Sequence, residues 1–549
     1  MSPFALADTY WPAFEKAVKV GGAQGVMCSY NAVNGQPACA SDTLTSVLRG
    51  AWGFSGYITS DSGALEDVYL PFPKGHHYVN TEAEAACVSI RNGTTDVCSG
   101  AVYHDSLMDS VSSGLCSRAD VDAALYRTMM VRMKAGLFDP IEDQPYWHTP
   151  LTAVNTPASE DANLRATLSS MVLLKHDGST LPFARGKRIA VIGPHANASA
   201  ALVGNYLGQL CDDDSLNCVL SPFLALQSAN TGGSVAMAAG CGLTKNDTSG
   251  FAAALALAAA SDYVVLALGI DGSIEGESND RTDIDLPAIQ HALAAQVAAV
   301  GKPTALVLVH GGSLDTAAEL ANQAIGAMVD AFYPGMRGSE AIAATLLGDN
   351  DRCCGKMAFT TYHADYVDQI KMSDMELDGA VGRGYRYFAG DVVFPFAHGL
   401  ALTSFQITDV SGTAPREVLR TEAGAAAPAR VLSYSVNVTN TGATTGDEVV
   451  FLFMEPQAGT LAAQPGSALI KKLLDYERVH LAPGESVVVS FDVSAASLRM
   501  VDKASGDVVS TPGEFRIALT NGVTPVPGER VVVVEGAELV ATPFPGRTR

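Results

Sequence analysis

Two short apolar runs decide the fold of the first part of the chain: AQGVMCSY at residues 23–30 and GYITS at residues 56–60. Both have the length and the apolar or β-branched content of buried strands. Residues 43–50, which lie between them, have the composition of a helix. We therefore predict a strand–helix–strand unit, the building block of parallel sheets.

Three longer segments after this unit are predicted helices, at residues 82–89, 103–112 and 120–135. Ser117 and Asp120 are residue types that favour the start of the third helix. A segment rich in Pro, Thr and acidic residues follows at 139–157 and is typical of a linker. We place a first domain at residues 1–140 and the linker at 141–160.

Strands and helices alternate in the next domain, which we place at residues 161–400. The clearest strands are at 188–192, 263–268, 304–309 and 327–331, and residues 287–300 are typical of the helices between them. This alternation predicts a mostly parallel sheet covered by helices on both faces. The turn after residue 192 lacks the glycine pattern of a dinucleotide-binding loop, so we interpret it as an ordinary sheet end.

The last domain, at residues 401–549, has a different pattern. Segments of strand length at 432–439, 447–454, 486–493 and 513–519 are separated by the turn sequences NTG, APGE and SGD. This spacing predicts a small antiparallel β-sandwich.

The overall composition excludes several classes of protein. The 549 residues include 35 Lys and Arg and 58 Asp and Glu, a net charge of −23. A chain this acidic is a poor ligand for nucleic acid or for an anionic membrane surface. The longest apolar stretch, residues 251–270, has Ser261 and Asp262 at its centre, so we predict a buried helix, a turn and a strand instead of a membrane span.

The cysteines indicate an oxidising environment. Cys28 and Cys39 flank a turn, Cys211 and Cys218 flank a polar loop, and each pair is placed so that a disulfide can form. No cysteine or histidine spacing indicates a zinc site.

Four N-x-S/T sequons strengthen the indication of a secretory protein, at Asn92, Asn197, Asn246 and Asn437. The N-terminus, however, lacks the basic segment and apolar run of a secretory signal peptide. This contrast leads to the expectation that the natural N-terminus is missing.

Carboxylates are the candidates for chemistry, because the G-x-S-x-G, H-E-x-x-H and phosphate-loop motifs are absent. Asp61 directly follows the predicted strand at 56–60. In a parallel α/β barrel the catalytic groups lie at the carboxyl ends of strands. A helix cap or a turn residue is the alternative interpretation of Asp61.

A second acidic cluster, SIEGESNDR at residues 273–281, follows the predicted strand at 263–268. Neighbouring carboxylates favour the protonated form in one of them, which can then act as a general acid. A solvated acidic loop is the alternative interpretation. Together the two loops predict a two-carboxylate glycosidase, retaining if the carboxyl groups are about 5–5.5 Å apart and inverting at ~6.5–9.5 Å.

A series of ordered motifs resembles glycoside hydrolase family 3, and in particular its β-xylosidase branch. The motifs are VMCSYNAVNG at 26–35, WGF at 52–54, GYITSD at 56–61, GLFDP at 136–140, IAVIGP at 189–194, GNY at 204–206, YPG at 333–335, GRGYRY at 382–387 and FAHGL at 396–400. The resemblance implies the family's architecture: the C-terminal part of a (β/α)8 barrel at 1–140, an α/β sandwich at 161–400 and a fibronectin-III-like domain at 401–549.

The resemblance also implies roles for individual residues. Asp61 corresponds to the family's nucleophile, and the acid/base residue is expected from the second domain. The family's Gly-Glu-Gly-x-Asp-Arg pattern aligns with residues 276–281, which favours Glu277 and leaves Glu275 as the alternative. Tyr30 matches a tyrosine beside the nucleophile, so we expect it to hydrogen-bond or pack near Asp61 and bind substrate.

The implied activity is that of a retaining exo-glycosidase, secreted and without metal or organic cofactor, that removes β-linked xylose from the non-reducing ends of xylo-oligosaccharides. Ser62 stands where the family's β-glucosidases often have Trp, which favours xylose. β-Glucosidase and α-L-arabinofuranosidase activities remain open alternatives.

The chain departs from the family at its beginning. Family members have many more residues before the VMCSY segment, and these supply a Lys-His pair, an Arg and an Asp that hold sugar hydroxyls. The KGHH sequence at 74–77 lies in a different context. We therefore expect an N-terminally truncated barrel, and an inactive remnant is a further alternative.

Overall fold

A computed structural model describes residues 1–211, 213–421, 430–464, 466–528 and 530–545. The chain forms two compact units. Unit 1 comprises residues 1–154, 499–510 and the segment from residue 538 onward, and unit 2 comprises residues 155–498 and 511–537. The four-segment domain division expected from the sequence stays a prediction, because compactness alone does not define these domains.

The first 154 residues contain short strands and six α-helices. The helices are Pro3–Ala5 (α1), Pro12–Lys19 (α2), Glu66–Tyr69 (α3), Glu82–Arg91 (α4), Val102–Ser112 (α5) and Arg118–Lys134 (α6). The strands are Gly25–Cys28 (β1), Ala32–Val33 (β2), Gln36–Pro37 (β3) and Tyr57–Ser60 (β4). Leu6–Tyr10 and Leu44–Ala51 are π-helical, and Ala38–Ala40, Ile141–Asp143 and Leu151–Ala153 are 3₁₀ turns.

The predicted strand–helix–strand unit is confirmed. β1 and β4 pair in parallel, with Cys28 opposite Ser60, and the π-helical segment Leu44–Ala51 lies between them in sequence. Val97 extends the parallel arrangement by bridging to Thr59 of β4. The turn predicted after β1 is a small antiparallel hairpin of β2 and β3.

The three helices predicted between residues 82 and 135 are confirmed as α4, α5 and α6. The Ser117 side chain accepts a hydrogen bond from the amide of Asp120, whose carboxylate accepts one from the Ser117 amide at 2.8 Å. This reciprocal capping box satisfies two amides that the first helical turn leaves without backbone partners.

A buried carboxylate, Asp96, fixes the position of β4. Its Oδ2 accepts hydrogen bonds from the Ile58 amide and from Arg49 Nη2, both at 2.8 Å, and its Oδ1 accepts one from Arg127 Nε at 2.7 Å. The Asp96 side chain is 0% exposed. Charged donors therefore balance the buried charge and tie β4 to α6.

The elements of residues 155–498 form most of unit 2. The helices are Pro157–Ser170 (α7), Ala200–Val203 (α8), Pro222–Ala229 (α9), Phe251–Ala260 (α10), Ala288–Ala298 (α11), Ala317–Ala321 (α12), Gly338–Leu347 (α13), Tyr366–Gln369 (α14), Gly384–Tyr387 (α15) and Ala458–Ala462 (α16). The strands are Val172–His176 (β5), Arg188–Ile192 (β6), Ser234–Ala238 (β7), Tyr263–Gly269 (β8), Thr304–Val309 (β9), Ala327–Asp330 (β10), Phe405–Asp409 (β11), Arg416–Arg420 (β12), Leu432–Asn440 (β13), Gly446–Pro456 (β14), Lys472–Leu481 (β15) and Ser486–Val493 (β16).

The remaining strands are Met500–Val501 (β17), Val508–Ser510 (β18), Gly513–Thr520 (β19), Val531–Glu535 (β20) and Leu539–Thr542 (β21).

A six-stranded sheet in the order β5-β10-β9-β8-β6-β7 forms the centre of unit 2, and only β5 is antiparallel to its neighbour. Leu266 and Leu268 of β8 pack into one hydrophobic core, and Val265 and Ala267 pack into another on the opposite face. The mostly parallel, doubly covered sheet is therefore confirmed.

The apolar stretch at 251–270 folds as predicted, into α10, a turn and β8. Ala254 and Ala258 are buried, and Asp262 lies in the turn, where its carboxylate pairs with Arg188. Within the described ranges, no helix combines the length and the apolar character that crossing a bilayer requires.

Two further sheets of unit 2, ordered β11-β13-β16 and β12-β20-β19-β14-β15, form the predicted small sandwich. Alternate residues of β13, such as Tyr434 and Val436, are fully buried. One pair departs from the antiparallel prediction, because β12 and β20 are parallel. These two strands are separated by more than a hundred residues, so no tight hairpin forces them to be antiparallel.

The third small sheet, β17-β18-β21, belongs to unit 1. Phe544, just after β21, stacks on Trp11 with a ring-centroid distance of 5.1 Å, and Trp11 meets Trp52 edge-on at 6.0 Å. The Phe544 amide donates to Asp507 Oδ1 at 2.6 Å. The last described residues therefore pack against the helices at the beginning of the chain.

The described residues form four disulfides. The predicted pairs Cys28–Cys39 and Cys211–Cys218 are confirmed. The sequence analysis missed the bonds Cys87–Cys116 and Cys353–Cys354. The first of these joins α4 to the turn before α6, so no short loop in the sequence marks it.

Candidate active site

Asp61 lies at the carboxyl end of the parallel β1–β4 pair in unit 1. Its amide donates to the Cys28 carbonyl at 2.9 Å, which extends the pairing of the strands by one residue. The amide of Ser62 donates to Asp61 Oδ1 at 2.7 Å. No hydrogen bond within the described part of the chain uses Oδ2, so this oxygen is available to attack or bind a ligand.

Tyr30 lies at the same edge of unit 1, two residues after the end of β1. Its backbone carbonyl accepts a hydrogen bond from His76 Nε2 at 2.7 Å, which requires the tautomer protonated at Nε2. His76 belongs to the loop after α3, whose backbone folds back on Asp67 and Val68. Tyr30 and Asp61 thus follow neighbouring parallel strands.

Glu66 is a partly buried acidic residue close to the Asp61 turn, and the sequence analysis missed it. Its Oε1 accepts a weak hydrogen bond from the Ala101 amide at 3.4 Å, and its Oε2 is buried without a partner among the described residues. A Cβ atom on Gly100 would lie 2.8 Å from Glu66 Oε1. In the sequence this residue is indistinguishable from the acidic residues that commonly begin a helix.

Glu275 and Glu277 both belong to unit 2, on the loop between β8 and α11. We call residues 270–285 the carboxylate loop. The Glu275 amide donates to the Asp271 carbonyl at 3.0 Å, and the Asp271 side chain accepts from the Ser273 amide at 2.9 Å. These bonds give the first part of the loop a compact turn structure.

A tight turn presents Glu277 to solvent. Gly276 and Asn279 exchange backbone hydrogen bonds at 3.0 and 3.1 Å, so that Glu277 and Ser278 form the tip. Ser278 has a φ of 61°, in the left-handed region. Glu277 is exposed, and its carboxylate has no ion pair or hydrogen bond to the parts of the chain that the structure describes.

Glu275 has the opposite environment, because its carboxylate is paired with Arg281. The Arg281 guanidinium also donates from Nη2 to the Ser313 carbonyl at 2.5 Å and from Nη1 to the Asp283 carbonyl at 3.3 Å. Arg281 therefore holds Glu275 against the segment that follows β9.

Two glycines after β9 make room for this ion pair. A Cβ atom on Gly312 would lie 2.9 Å from both Arg281 Nη2 and Glu275 Oε2, and one on Gly311 would lie 2.9 Å from Glu275 Oε1. These separations are shorter than real Cβ contacts, so any larger residue would displace the pair.

His310, the residue directly before the two glycines, hydrogen-bonds to the second of them. Its Nδ1 donates to the Gly312 carbonyl at 2.6 Å, and its Nε2 lies 3.0 Å from Asp330 Oδ2 at the end of β10. Burial alone lowers the pKa of His310, but the charge and hydrogen bond of Asp330 outweigh it, and the pKa is raised. A charged His310 matches the two acceptors that face its ring.

Tyr333 and His195 complete this edge of the sheet. Burial, with the charges of Glu275 and Asp271, raises the pKa of Tyr333 to about 12, and burial lowers the pKa of His195 to about 4. Tyr333 Oη and His195 Nε2 are buried without partners among the described residues. Both side chains are therefore neutral at pH 7 and able to hydrogen-bond a ligand or water.

The residues of unit 2 that the sequence analysis missed share one feature of the sequence: their position just after a strand. His195, His310 and Tyr333 each follow closely after a strand of the parallel sheet, β6, β9 and β10 respectively. Carboxyl ends of parallel strands meet at one edge, where open α/β sheets bind ligands.

Across the described ranges, no group of three or more His, Cys, Asp or Glu side chains is arranged to hold a metal ion.

The chain matches three domain families along its length. Residues 1–131 match the glycosyl hydrolase family 3 N-terminal domain, residues 171–402 its C-terminal domain, and residues 448–522 a fibronectin type III-like domain. These matches follow the parallel β1–β4 unit, the six-stranded sheet and the small sandwich in order. The chain belongs to glycosyl hydrolase family 3.

Curated relatives are similar over nearly the whole chain. A probable exo-1,4-β-xylosidase of Aspergillus fumigatus is 36% identical over 98% of this chain and 69% of its own length. β-D-xylosidase 1 of Arabidopsis thaliana is 34% identical over 91% of this chain and 66% of its own length.

Solved structures share the same fold. A family 3 exo-β-xylosidase, XlnD, in complex with a xylobiose aziridine activity-based probe, has a TM-score of 0.89 and 30% identity over 99% of this chain and 70% of its own. A β-glucosidase of Listeria innocua in complex with glucose has a TM-score of 0.82 and 25% identity over 98% of this chain and 71% of its own. The fold is thus that of family 3, with a barrel-like N-terminal domain, an α/β domain and a fibronectin-III-like domain.

Proposed function

We propose that this chain is an exo-acting glycoside hydrolase that releases β-linked xylose from the non-reducing ends of xylo-oligosaccharides. The observation that carries the proposal is the placement of Asp61 at a parallel strand's carboxyl end in a member of a glycoside hydrolase family. The names of two relatives, a probable exo-1,4-β-xylosidase at 36% identity and β-D-xylosidase 1 at 34% identity, support xylose as the sugar.

The proposed reaction proceeds with retention of configuration. Asp61 attacks the anomeric carbon as the glycosidic bond breaks, and the leaving oxygen takes a proton from the acid/base residue. The same residue then takes a proton from water, whose oxygen displaces Asp61 from the glycosyl ester. Two carboxyl groups and one water balance the reaction, so it requires no metal or organic cofactor.

We assign the acid/base role to Glu277, with Glu275 as the alternative. A general acid must move its proton to a substrate oxygen within hydrogen-bond reach. Glu277 is at the exposed tip of a turn with no partner among the described residues, whereas Glu275 is held by Arg281. The free carboxyl group fits the role better, and the held one fits a structural or sugar-binding role.

Tyr30 is proposed to bind substrate beside Asp61. Tyr30 is 41% exposed as a residue, and the bond from His76 to its carbonyl fixes its backbone. An aromatic ring with a hydroxyl group provides both an apolar face and a hydrogen-bonding tip for a sugar.

Substitution of Asp61 tests the nucleophile. We expect D61N to lose at least about 10³-fold of kcat on nitrophenyl xyloside, because the covalent step has no other nucleophile. D109N, on the exposed face of α5, is the matched control and should retain parental activity. Equal activity of D61N and the parent would refute the assignment, and a parent inactive on every glycoside would support the remnant alternative.

Azide distinguishes the two glutamates. In an alanine variant at the acid/base position, azide occupies the vacated space and attacks the glycosyl ester without needing a general base. We expect E277A, but not E275A, to recover turnover on dinitrophenyl xyloside and to form β-xylosyl azide. Rescue of E275A alone would assign the acid/base role to Glu275. Rescue of neither variant would show that the acid/base residue does not belong to this loop.

Specificity is tested with three substrates side by side: the nitrophenyl xyloside, glucoside and arabinofuranoside. We expect the highest kcat/KM on the xyloside. The structural similarity to β-glucosidases of Listeria innocua makes glucose the second candidate. A clear preference for the glucoside would overturn the xylose assignment while keeping the glycosidase proposal.

We also propose that the chain folds in the secretory pathway. Its four disulfides, with Cys98 and Cys241 as free thiols, support an oxidising compartment. Thiol titration of the denatured, unreduced protein from its natural source should give two thiols per chain. A result near ten would contradict the proposal.

A further inference from the structure

Two consecutive residues of α11, Gln290 and His291, hold the two ends of the carboxylate loop. We propose that they form a clamp that positions the acid/base residue, an inference that rests on the proposed function. Neither residue touches the reacting atoms, so both are positioning residues.

Gln290 fixes the beginning of the loop. Its Oε1 accepts from the Gly269 amide at 2.8 Å, and its Nε2 donates to the carbonyls of Gly269 and Leu243 at 2.7 and 2.9 Å. Gln290 is fully buried, and a Cβ atom on Gly269 would lie 2.0 Å from the Val309 carbonyl oxygen. The last residue of β8 is thus held between β9 and the Gln290 amide.

His291 fixes the end of the loop. Its Nε2 lies 3.0 Å from Asp285 Oδ1, and its Nδ1 lies 2.7 Å from Glu319 Oε1 on α12. Carboxylate oxygens only accept hydrogen bonds, so both ring nitrogens must carry protons. The charged imidazolium therefore links Asp285, the last residue of the loop, to a carboxylate that is 3% exposed.

The middle of the loop has its own support from Arg281, but its tip does not. Glu277 projects from a tight turn between the two clamped ends. The backbone bonds between Gly276 and Asn279 hold this turn, together with a bond of 3.3 Å from Asn279 Nδ2 to the Gly272 carbonyl. A proton donor misplaced by about 1 Å loses much of its effect. Fixed ends shorten the part of the chain that can fluctuate and so restrict where Glu277 can reach.

The dependence of rate on the leaving group is the decisive measurement. General acid catalysis matters for xylobiose, whose leaving alcohol is a poor one, and hardly matters for 2,4-dinitrophenyl xyloside. We expect H291Q, which can donate to only one of the two carboxylates, to lose about 10–100-fold of kcat/KM on xylobiose. On the dinitrophenyl substrate it should lose less than about 3-fold.

A matched histidine serves as the control. His176 ends β5, and its Nε2 bonds the Leu181 carbonyl at 3.1 Å. Because β5 is antiparallel to β10, His176 pairs with the first residue of β10, at the opposite edge of the sheet from the loop. H176Q should leave both kcat/KM values unchanged.

Amide hydrogen exchange of residues 270–285 separates the clamp from the proposed function. We expect faster exchange there in H291Q, and also in Q290M, which covers the case that one variant does not fold. Unchanged exchange would overturn the clamp. Equal losses on both substrates would show a structural role only and overturn the positioning of the acid/base residue.

One outcome separates the two proposals. If the parent hydrolyses no glycoside but both variants exchange faster than the parent, the clamp is supported and the proposed function is overturned. Faster exchange together with a selective loss on xylobiose supports both.

Discussion

Replacing Asp96 with Asn should destabilise unit 1 strongly, although the two side chains have the same shape. Every group around the Asp96 carboxylate is a hydrogen-bond donor: the Ile58 amide, Arg49 and Arg127. An asparagine turns an NH₂ group toward at least one of these donors, and it also leaves two partly buried guanidinium groups without a counter-charge. Breaking a buried ion pair from one side costs roughly 3–5 kcal/mol.

For a unit of this size such a loss lowers the melting temperature by about 6–20 °C, since each kcal/mol corresponds to ~2–4 °C. Differential scanning calorimetry of the disulfide-intact protein measures the shift. D122N is the control on the same helix, because Asp122 pairs with Arg118 at the surface, where ion pairs contribute at most ~1 kcal/mol. A loss below about 1 kcal/mol for D96N would refute the reasoning, and R127M, with a smaller expected loss, tests it if D96N does not fold.

Two other predictions concern unit 2. G312A should lower kcat on xylobiose by about 10-fold or more with little change in melting temperature, because the new Cβ atom pushes into the ion pair of Glu275 and Arg281. G272A is the control: a Cβ atom there meets open space, so this variant should behave like the parent. Equal activity of the two variants would contradict this. Burial alone lowers the pKa of His291, but the hydrogen bonds and charges of Glu319 and Asp285 raise it to about 9. Folding therefore favours the protonated form of His291. The contribution of this residue to the stability of the folded protein is complete below about pH 6.5 and is lost as the pH rises through 9. Thermal melts of the parent and H291Q from pH 6 to 10 should converge at high pH, and parallel curves would contradict the assignment.

The position of Asp61 was accessible from the sequence for a simple physical reason. The run GYITS ends at Ser60, and a residue directly after a parallel strand can only lie at that strand's carboxyl end. The same argument placed the carboxylate loop after β8. Strand length and apolar content are local properties, so both elements could be predicted without knowledge of the rest of the chain.

The difference between Glu275 and Glu277 was not accessible in this way. The two residues are separated only by Gly276, yet Arg281 holds one and leaves the other exposed. The space for that ion pair comes from Gly312, on a loop that the sheet order brings alongside β8. Contacts of this kind depend on which strands are neighbours, which the alternation of strands and helices does not specify.

Asp96 and the clamp were missed for the same reason. The Asp96 carboxylate meets partners at residues 49, 58 and 127, and His291 meets Glu319 from the next helix. A lone acid or histidine in a helix or loop is most often solvated, so the sequence alone favours the ordinary interpretation.

The stacked rings at the start of the chain have a spectroscopic consequence. The protein has three tryptophans, and Trp11, Trp52 and Trp147 all belong to unit 1. Indole emission therefore reports on that unit alone, with unit 2 contributing only tyrosine and phenylalanine. Comparing emission with a whole-chain signal during denaturation would show directly whether the two units lose their structure together or one after the other.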